Sequence, residues 1–259
     1  MEMRGMMGGF YKLSEWIMRL SVTNVLWLLT SSPFWFILIT LFIGQPDASA
    51  DEYANSVKLI VGLLAIVAPF TLFPATSAMF SVARKWVLGD TDVPLFKTFF
   101  RNYKQNYKQA MIGGVFYALL FAILIIDFQV YLKQMAGFQL LAYLFIALML
   151  LLLISLLHFF SLLSHFHMKT VQLLKNALIL TIGRPIRSLI MAIGAIAVLF
   201  ISTRFTFLLP FFFGSIIAVY TFYNFNLVIQ KMMLLKEAAE SESESETESE
   251  EEEEKKSQS

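Results

Sequence analysis

Apolar residues in this chain gather into long runs separated by short connections, and most of those connections are basic. A helix needs about 20 apolar residues to cross a hydrocarbon core about 30 Å thick. The stretch from Phe73 to Phe100, FPATSAMFSVARKWVLGDTDVPLFKTFF, shows the alternation most plainly: an apolar run stops, and a polar, basic connection takes over. Residues 10 to 23, FYKLSEWIMRLSVT, instead repeat Phe10, Leu13, Trp16, Ile17 and Leu20 at helical spacing, with Lys12, Glu15 and Arg19 between them. That pattern predicts an interfacial helix lying on the membrane surface.

Taken in order, the pattern predicts a first span over residues 24 to 43, closed by Gly44 and Pro46, then an acidic loop with Asp47, Asp51 and Glu52. A second span, residues 57 to 82, is interrupted by Pro69 and Pro74, which implies a kink or an unwound turn. Gly89, Asp90 and Pro94 mark a turn, and from Leu95 a second basic amphipathic helix leads into span three at 110 to 132. A connection around Lys133 to Gly137 precedes span four, residues 138 to 160, which continues as helix to His167. A third amphipathic segment closes at Gly183 and Pro185. Spans five and six, 188 to 209 and 211 to 229, meet at Pro210; together they far exceed one crossing, so two spans are expected.

The fold class expected is thus an all-α membrane protein: a six-span helical bundle with three cytoplasmic interfacial amphipathic helices, spanning residues 1–236. An interfacial helix followed by a hairpin recurs three times, with Lys12, Lys97 and Lys175 each 12 or 13 residues before a span. Two readings stay open, a threefold hairpin repeat of the kind found in carriers and the ordinary placement of basic segments ahead of hairpins.

Composition agrees with the pattern: 58% of the residues are hydrophobic and 15% charged, which excludes a soluble globular class. No cleavable leader is expected at the N-terminus, which runs through the amphipathic segment into a full span. The chain has no cysteine, which removes disulfides, thiol nucleophiles and thiolate metal sites. Its formal net charge of +1 conceals an asymmetry, because 11 of its 19 acidic residues lie between Glu237 and Glu254. Residues 237–259 read as a disordered acidic cytoplasmic tail. With the N-terminus inside, 17 of the 20 lysines and arginines fall on the cytoplasmic side, so the positive-inside rule places both termini in the cytoplasm of a multi-pass cell-membrane protein.

Together, GGFYKLSEWIMRLSVTNVLWLL (residues 8 to 29) and the stretch from Phe73 to Phe100 resemble the YesL-like family of Gram-positive bacterial integral membrane proteins. The resemblance covers all six expected spans and weakens after residue 110; the acidic tail stands outside the family pattern. The family is a domain of unknown function, typically encoded beside carbohydrate uptake and degradation genes. The resemblance implies an accessory or regulatory component beside a carbohydrate uptake system.

No catalytic constellation, phosphate loop or zinc motif occurs, so neither an enzyme nor a cofactor is expected; the absence of a soluble basic and aromatic domain argues against nucleic acid. The partners expected are the lipid bilayer and a transporter or other membrane protein. Asp127 is the one acid inside an expected span, and Arg204 lies at a similar depth, so an ion pair between them is a candidate coupling element. Pro69, Thr71, Pro74 and Thr76 form the other transport candidate, because unwound backbone at mid-membrane can hold polar solutes. They carry the alternative reading, a small-solute transporter or channel. Arg84, Lys85, Trp86, Asp90, Asp92, Lys97 and Arg101 are candidate docking residues, with Trp86 expected at headgroup level and the two acids expected to cap a helix or pair with Lys97 and Arg101. His158 and His165 share a helix face, and Asn24, Asn224 and Asn226 are candidate interhelical hydrogen-bond formers.

Overall fold

The computed structural model describes residues 6–43, 49–133 and 139–257, giving only the backbone of 6–8, 133, 139 and 242–257. Within them the chain is all-helical: α1 (Met6–Thr30), α2 (Ser32–Thr40), α3 (Ala50–Val67), α4 (Leu72–Val87), α5 (Leu95–Lys133), α6 (Gln139–His165), α7 (Thr170–Gly183), α8 (Pro185–Arg204), α9 (Leu208–Phe211) and α10 (Phe213–Ser257). Three helices, α5, α6 and α8, are individually long and apolar enough to cross a membrane. Two bent pairs, α1 with α2 and α3 with α4, bring the number to as many as five among the described residues. The sixth expected span corresponds to α9 and the first part of α10, where Asn224 and Asn226 interrupt the apolar run.

The centre of the bundle is α4. Eleven of its 16 residues are buried, so it has almost no outward face, and α1, α5, α6 and α10 surround it. Ala75, Ala78, Ala83, Ser77 and Ser81 supply the small side chains that let neighbouring backbones approach, while Phe73, Met79, Phe80 and Trp86 fill the space between them. Phe160 of α6 packs on both Phe73 and Phe80, with ring centroids 5.3 and 5.5 Å apart. The outer helices present the reverse pattern: Ile186, Leu189, Ile193, Ile196 and Phe200 of α8 are all exposed. Such a continuous apolar surface suits lipid rather than water.

Several boundaries differ from the sequence expectation. No joint separates the first interfacial segment from the first span, because α1 runs unbroken for 25 residues and the chain turns later, at Ser31, by 76°. Nothing between Arg19 and Asn24 obstructs a helix, whereas Pro33 sits in the first turn of α2, where its missing N–H costs nothing. Ser31 fixes the corner: its hydroxyl donates to the Trp27 carbonyl at 2.5 Å and accepts from Trp35 Nε1 at 3.0 Å. Arg19, expected on a polar face, is buried, ion-paired with Glu15 and set 5.8 Å from the Trp16 ring. Likewise the second amphipathic segment and span three are one helix of 39 residues. At 1.5 Å per residue it is about 58 Å long, nearly twice a hydrocarbon core.

Asp51 and Glu52 lie in the first turn of α3 rather than in a loop; Ser49 caps that helix and exchanges hydrogen bonds with Glu52 in a capping box. Gly44, Pro46 and Asp47 fall outside the described residues, as does most of the connection from Lys133 to Gly137. The third amphipathic segment is a separate helix, α7, ended at Gly183 with Pro185 opening α8. The backbone of α10 continues as helix to Ser257 through the acidic segment, where the sequence suggested no ordered element; glutamate is a good helix former when the preceding turns already supply a template.

α1 and α10 are joined by one buried side chain. Asn24 Nδ2 donates to the carbonyls of Leu209 (3.1 Å) and Pro210 (2.7 Å). Its Oδ1 accepts from the backbone N–H groups of Gly214 (2.8 Å) and Ser215 (3.1 Å). One carboxamide thereby satisfies open carbonyls on the α9 side and open amides at the start of α10.

Candidate functional site

The break in the second expected span lies between α3 and α4, which meet at 54°. Pro69 is the residue that opens it; Pro74, inside the first turn of α4, breaks nothing. Several groups at the break find partners within the chain. The Val67 carbonyl accepts from Phe70 N and Thr71 N (both 3.2 Å) and from the Thr71 hydroxyl (2.9 Å), and Tyr107 Oη donates to the Phe70 carbonyl at 3.1 Å. Thr76 Oγ1 donates to the Leu72 carbonyl at 2.7 Å and accepts from Trp27 Nε1 at 3.0 Å. Gly114 of α5 packs so tightly here that a Cβ would come within 2.7 Å of Pro69 Cα. The hydroxyls of Thr71 and Thr76 are thus engaged within the chain, an apolar groove runs past Pro69 and Phe70 on the α5 side, and the Ser77 hydroxyl is buried with no partner among the described residues.

No ion pair joins Asp127 to Arg204 among the described residues. Arg204 ends α8 with its guanidinium 5.3 Å from the Phe200 ring centre, while Asp127 is half-buried on α5, a helix that packs chiefly against α4 and α6. Equal depth along two spans did not make them neighbours.

The polar geometry gathers instead where α4 ends. A cleft of about 340 Å³ opens between the C-terminal turn of α4, the first half of α5 and the end of α6. Arg84, Lys85 and Arg101 bring positive charge to it, and no acidic residue among the described ones lines it. Lys85 is bound to Asp90 at 2.8 Å across the turn, so Asp90 pairs backward rather than with Lys97 or Arg101. Arg84 and Arg101 have no carboxylate partner among the described residues; Arg84 Nε reaches His165 Nδ1 at 3.4 Å. Of the other docking candidates, Asp92 and Lys97 are exposed outside the cleft, and Trp86 is buried edge-on against Trp16, with ring centroids 5.7 Å apart, instead of standing at the surface.

The sequence reading missed the residues that give the cleft its character. Asn102, Gln105, Asn106 and Gln109 form one wall. Their spacing of three, four and seven residues puts all four on one face of α5, a signal the chain carries openly in RNYKQNYKQ but which the basic residues overshadowed. Each spends an amide N–H on the protein. Asn102 Nδ2 donates to Thr98 O (2.7 Å), Asn106 Nδ2 to Ser81 Oγ (3.3 Å) and Gln109 Nε2 to Met168 O (2.7 Å), and Gln105 Nε2 lies 3.4 Å from His167 Nε2. The four side-chain carbonyl oxygens accept no hydrogen bond from the described residues, so the wall is fixed in orientation with its acceptors unspent.

The three histidines have separate surroundings. His158 is fully buried with Nε2 3.0 Å from Ser188 Oγ, His165 lies edge-on to Phe166 and faces Arg84, and His167 belongs to the cleft rim.

Residues 20–128 match the family model described as "Protein of unknown function, DUF624". Among curated proteins of Bacillus subtilis (strain 168), the chain is 31% identical to the uncharacterized protein YesL over 82% of its own length and 85% of that protein's. It is 28% identical to the uncharacterized protein YteU over 84% of each chain. A third relative, the uncharacterized protein YesV, is 28% identical over 72% of this chain and 91% of its own. No solved structure matches the chain. With that identity and coverage, and with the DUF624 match lying across the central helix and the carboxamide face of α5, the chain belongs to the YesL-like family of uncharacterised proteins of Gram-positive bacteria.

Proposed function

We propose that this chain is an accessory or regulatory protein of the cell membrane that works beside a carbohydrate uptake system, using its basic, concave face as the surface that communicates with a partner. The pairing with carbohydrate uptake is what the YesL-like resemblance implies. The observation that carries the accessory role is the contrast between the two candidate regions: at the joint the Thr71 and Thr76 hydroxyls and the Phe70 carbonyl are engaged within the chain and the adjoining groove is apolar, whereas the cleft at Arg84 and Arg101 keeps charge and acceptors open among the described residues. A solute path needs the reverse, with unspent polar groups at mid-membrane. A second basic surface lies close in kind: Arg184, Arg187 and Lys231 border a groove of about 360 Å³ between the α7–α8 turn and α10. In this reading both surfaces and the N- and C-terminal segments face the cytoplasm, as the distribution of lysine and arginine favours.

Crosslinking in native membranes through Lys97, Lys104 and Lys108, read by mass spectrometry, tests the role. The expected result is crosslinks to a membrane subunit of a solute-uptake system that diminish when Arg84→Gln is combined with Arg101→Gln, which alters the cleft and leaves all three crosslinking lysines in place. Crosslinks that follow only the abundance of neighbouring membrane proteins would overturn it. Uptake of a solute into proteoliposomes holding this chain alone, abolished by Thr76→Val, would favour transport instead.

A further inference from the structure

We propose that the cleft between α4, α5 and α6 is a binding site for a phosphate ester that carries free hydroxyl groups. The proposal goes beyond the accessory reading and stands without it, since a chain with no protein partner could still hold such a ligand.

Two sets of groups face the same space. The first is cationic. Arg84 and Arg101 line the cleft from α4 and α5 with no carboxylate partner among the described residues, and Lys85 adds a third charge already shared with Asp90. Guanidinium groups present planar, forked donors that match a phosphate oxygen pair. The second set is the carboxamide wall of Asn102, Gln105, Asn106 and Gln109, whose carbonyl oxygens accept no hydrogen bond from the described residues and whose amide nitrogens each spend one of their two N–H groups on the protein. Carbonyl oxygens repel a bare anion and accept from hydroxyl groups. A simple inorganic anion could take the arginines and a remaining amide N–H but would leave the carbonyl oxygens unpaired. A ligand with a phosphate at one end and hydroxyls at the other uses both sets, and a volume of about 340 Å³ suits one such small molecule or a single headgroup.

Two sources share this chemistry: a free polyol phosphate, and the glycerophosphate headgroup of an anionic lipid. The cleft's position admits either. α5 is longer than a hydrocarbon core, so its first half extends out of the apolar layer to headgroup level and beyond.

The test uses the full chain in nanodiscs of phosphatidylcholine, titrated calorimetrically with glycerol 3-phosphate, inorganic phosphate and glycerol. Glycerol 3-phosphate is expected to bind about tenfold or more tightly than either fragment, and Arg101→Gln to weaken it by a similar factor. Asn106→Leu should erase the preference for glycerol 3-phosphate over inorganic phosphate while leaving phosphate binding in place. Lys97→Gln, on the same helix but outside the cleft, should change nothing. Repeating the titration in discs containing phosphatidylglycerol separates the sources: suppression identifies the lipid headgroup as the occupant, and no change identifies the free ester. The proposal is overturned if none of the three probes binds in phosphatidylcholine discs, or if glycerol 3-phosphate binds equally to the Arg101→Gln protein. Because Arg101 is exposed, a folding failure will not mimic the loss; the unfolding midpoint of the variant in the same discs should match that of the parent chain.

Discussion

Asn24 concentrates more structural consequence than any other single residue. It makes four hydrogen bonds to two helix ends, and replacing it with leucine would orphan two buried amides and two partly buried carbonyls. Each orphaned group costs about 1–3 kcal/mol, though relaxation and lipid-phase partners reduce the total, so Asn24→Leu should lose about 2–4 kcal/mol. A falling unfolding midpoint in detergent would record it; an unchanged midpoint would show the clamp is dispensable. Close packing gives a second residue-level expectation. A Cβ at Gly194 would lie 2.0 Å from a ring carbon of Tyr220, whose hydroxyl donates to the Ile190 carbonyl at 2.9 Å. Gly194→Ala should cost about 1–3 kcal/mol by overpacking, and Tyr220→Ala in the same chain should recover part of it. Neither Asn24's partners nor Gly194's neighbour could be read from the chain, since both depend on which spans meet.

At the scale of elements, the sequence was a good guide to where helices exist and a poor one to where they join. The separate helix α7, the break at Pro69 and the interruption between α8 and α10 follow from proline and glycine, whose effects are local. The joints expected near residues 23 and 109 are absent because a change from amphipathic to apolar composition alters a helix's surroundings without disturbing its backbone. Arg19 and Trp86 were misplaced for a related reason: a charged or aromatic residue near a span end reads as surface, yet α1 and α4 pack there closely enough to bury both. The carboxamide face of α5 was legible by spacing alone. The corner between α1 and α2 offers a clean check. If Ser31, rather than Pro33, sets the bend, Ser31→Ala should lower stability by about 1 kcal/mol or more, as expected for loss of a buried hydrogen-bonded hydroxyl, while Pro33→Ala, at a first-turn position, should cost less.

For the whole molecule, membrane character was plain from composition and pattern, and the outward apolar faces of the outer helices agree with it. Orientation is open to a direct measurement, helped by the lack of cysteine. A single Asp92→Cys should resist a membrane-impermeant maleimide in intact cells and react after permeabilisation, and Thr206→Cys should react in both conditions. The opposite pattern would invert the proposed arrangement and put the cleft outside.

The tie between Asn24 and residues 209–215 also sets a timetable. α1 carries a carboxamide whose four partners lie more than 180 residues further along the chain, so it goes unsatisfied until α9 and the start of α10 have been made. Until then α1 holds an unspent polar group at a face destined for burial, a cost that only the last helix removes. The bundle closes only when α9 and α10 reach α1, so Asn24 in effect checks that the helices between them are in place.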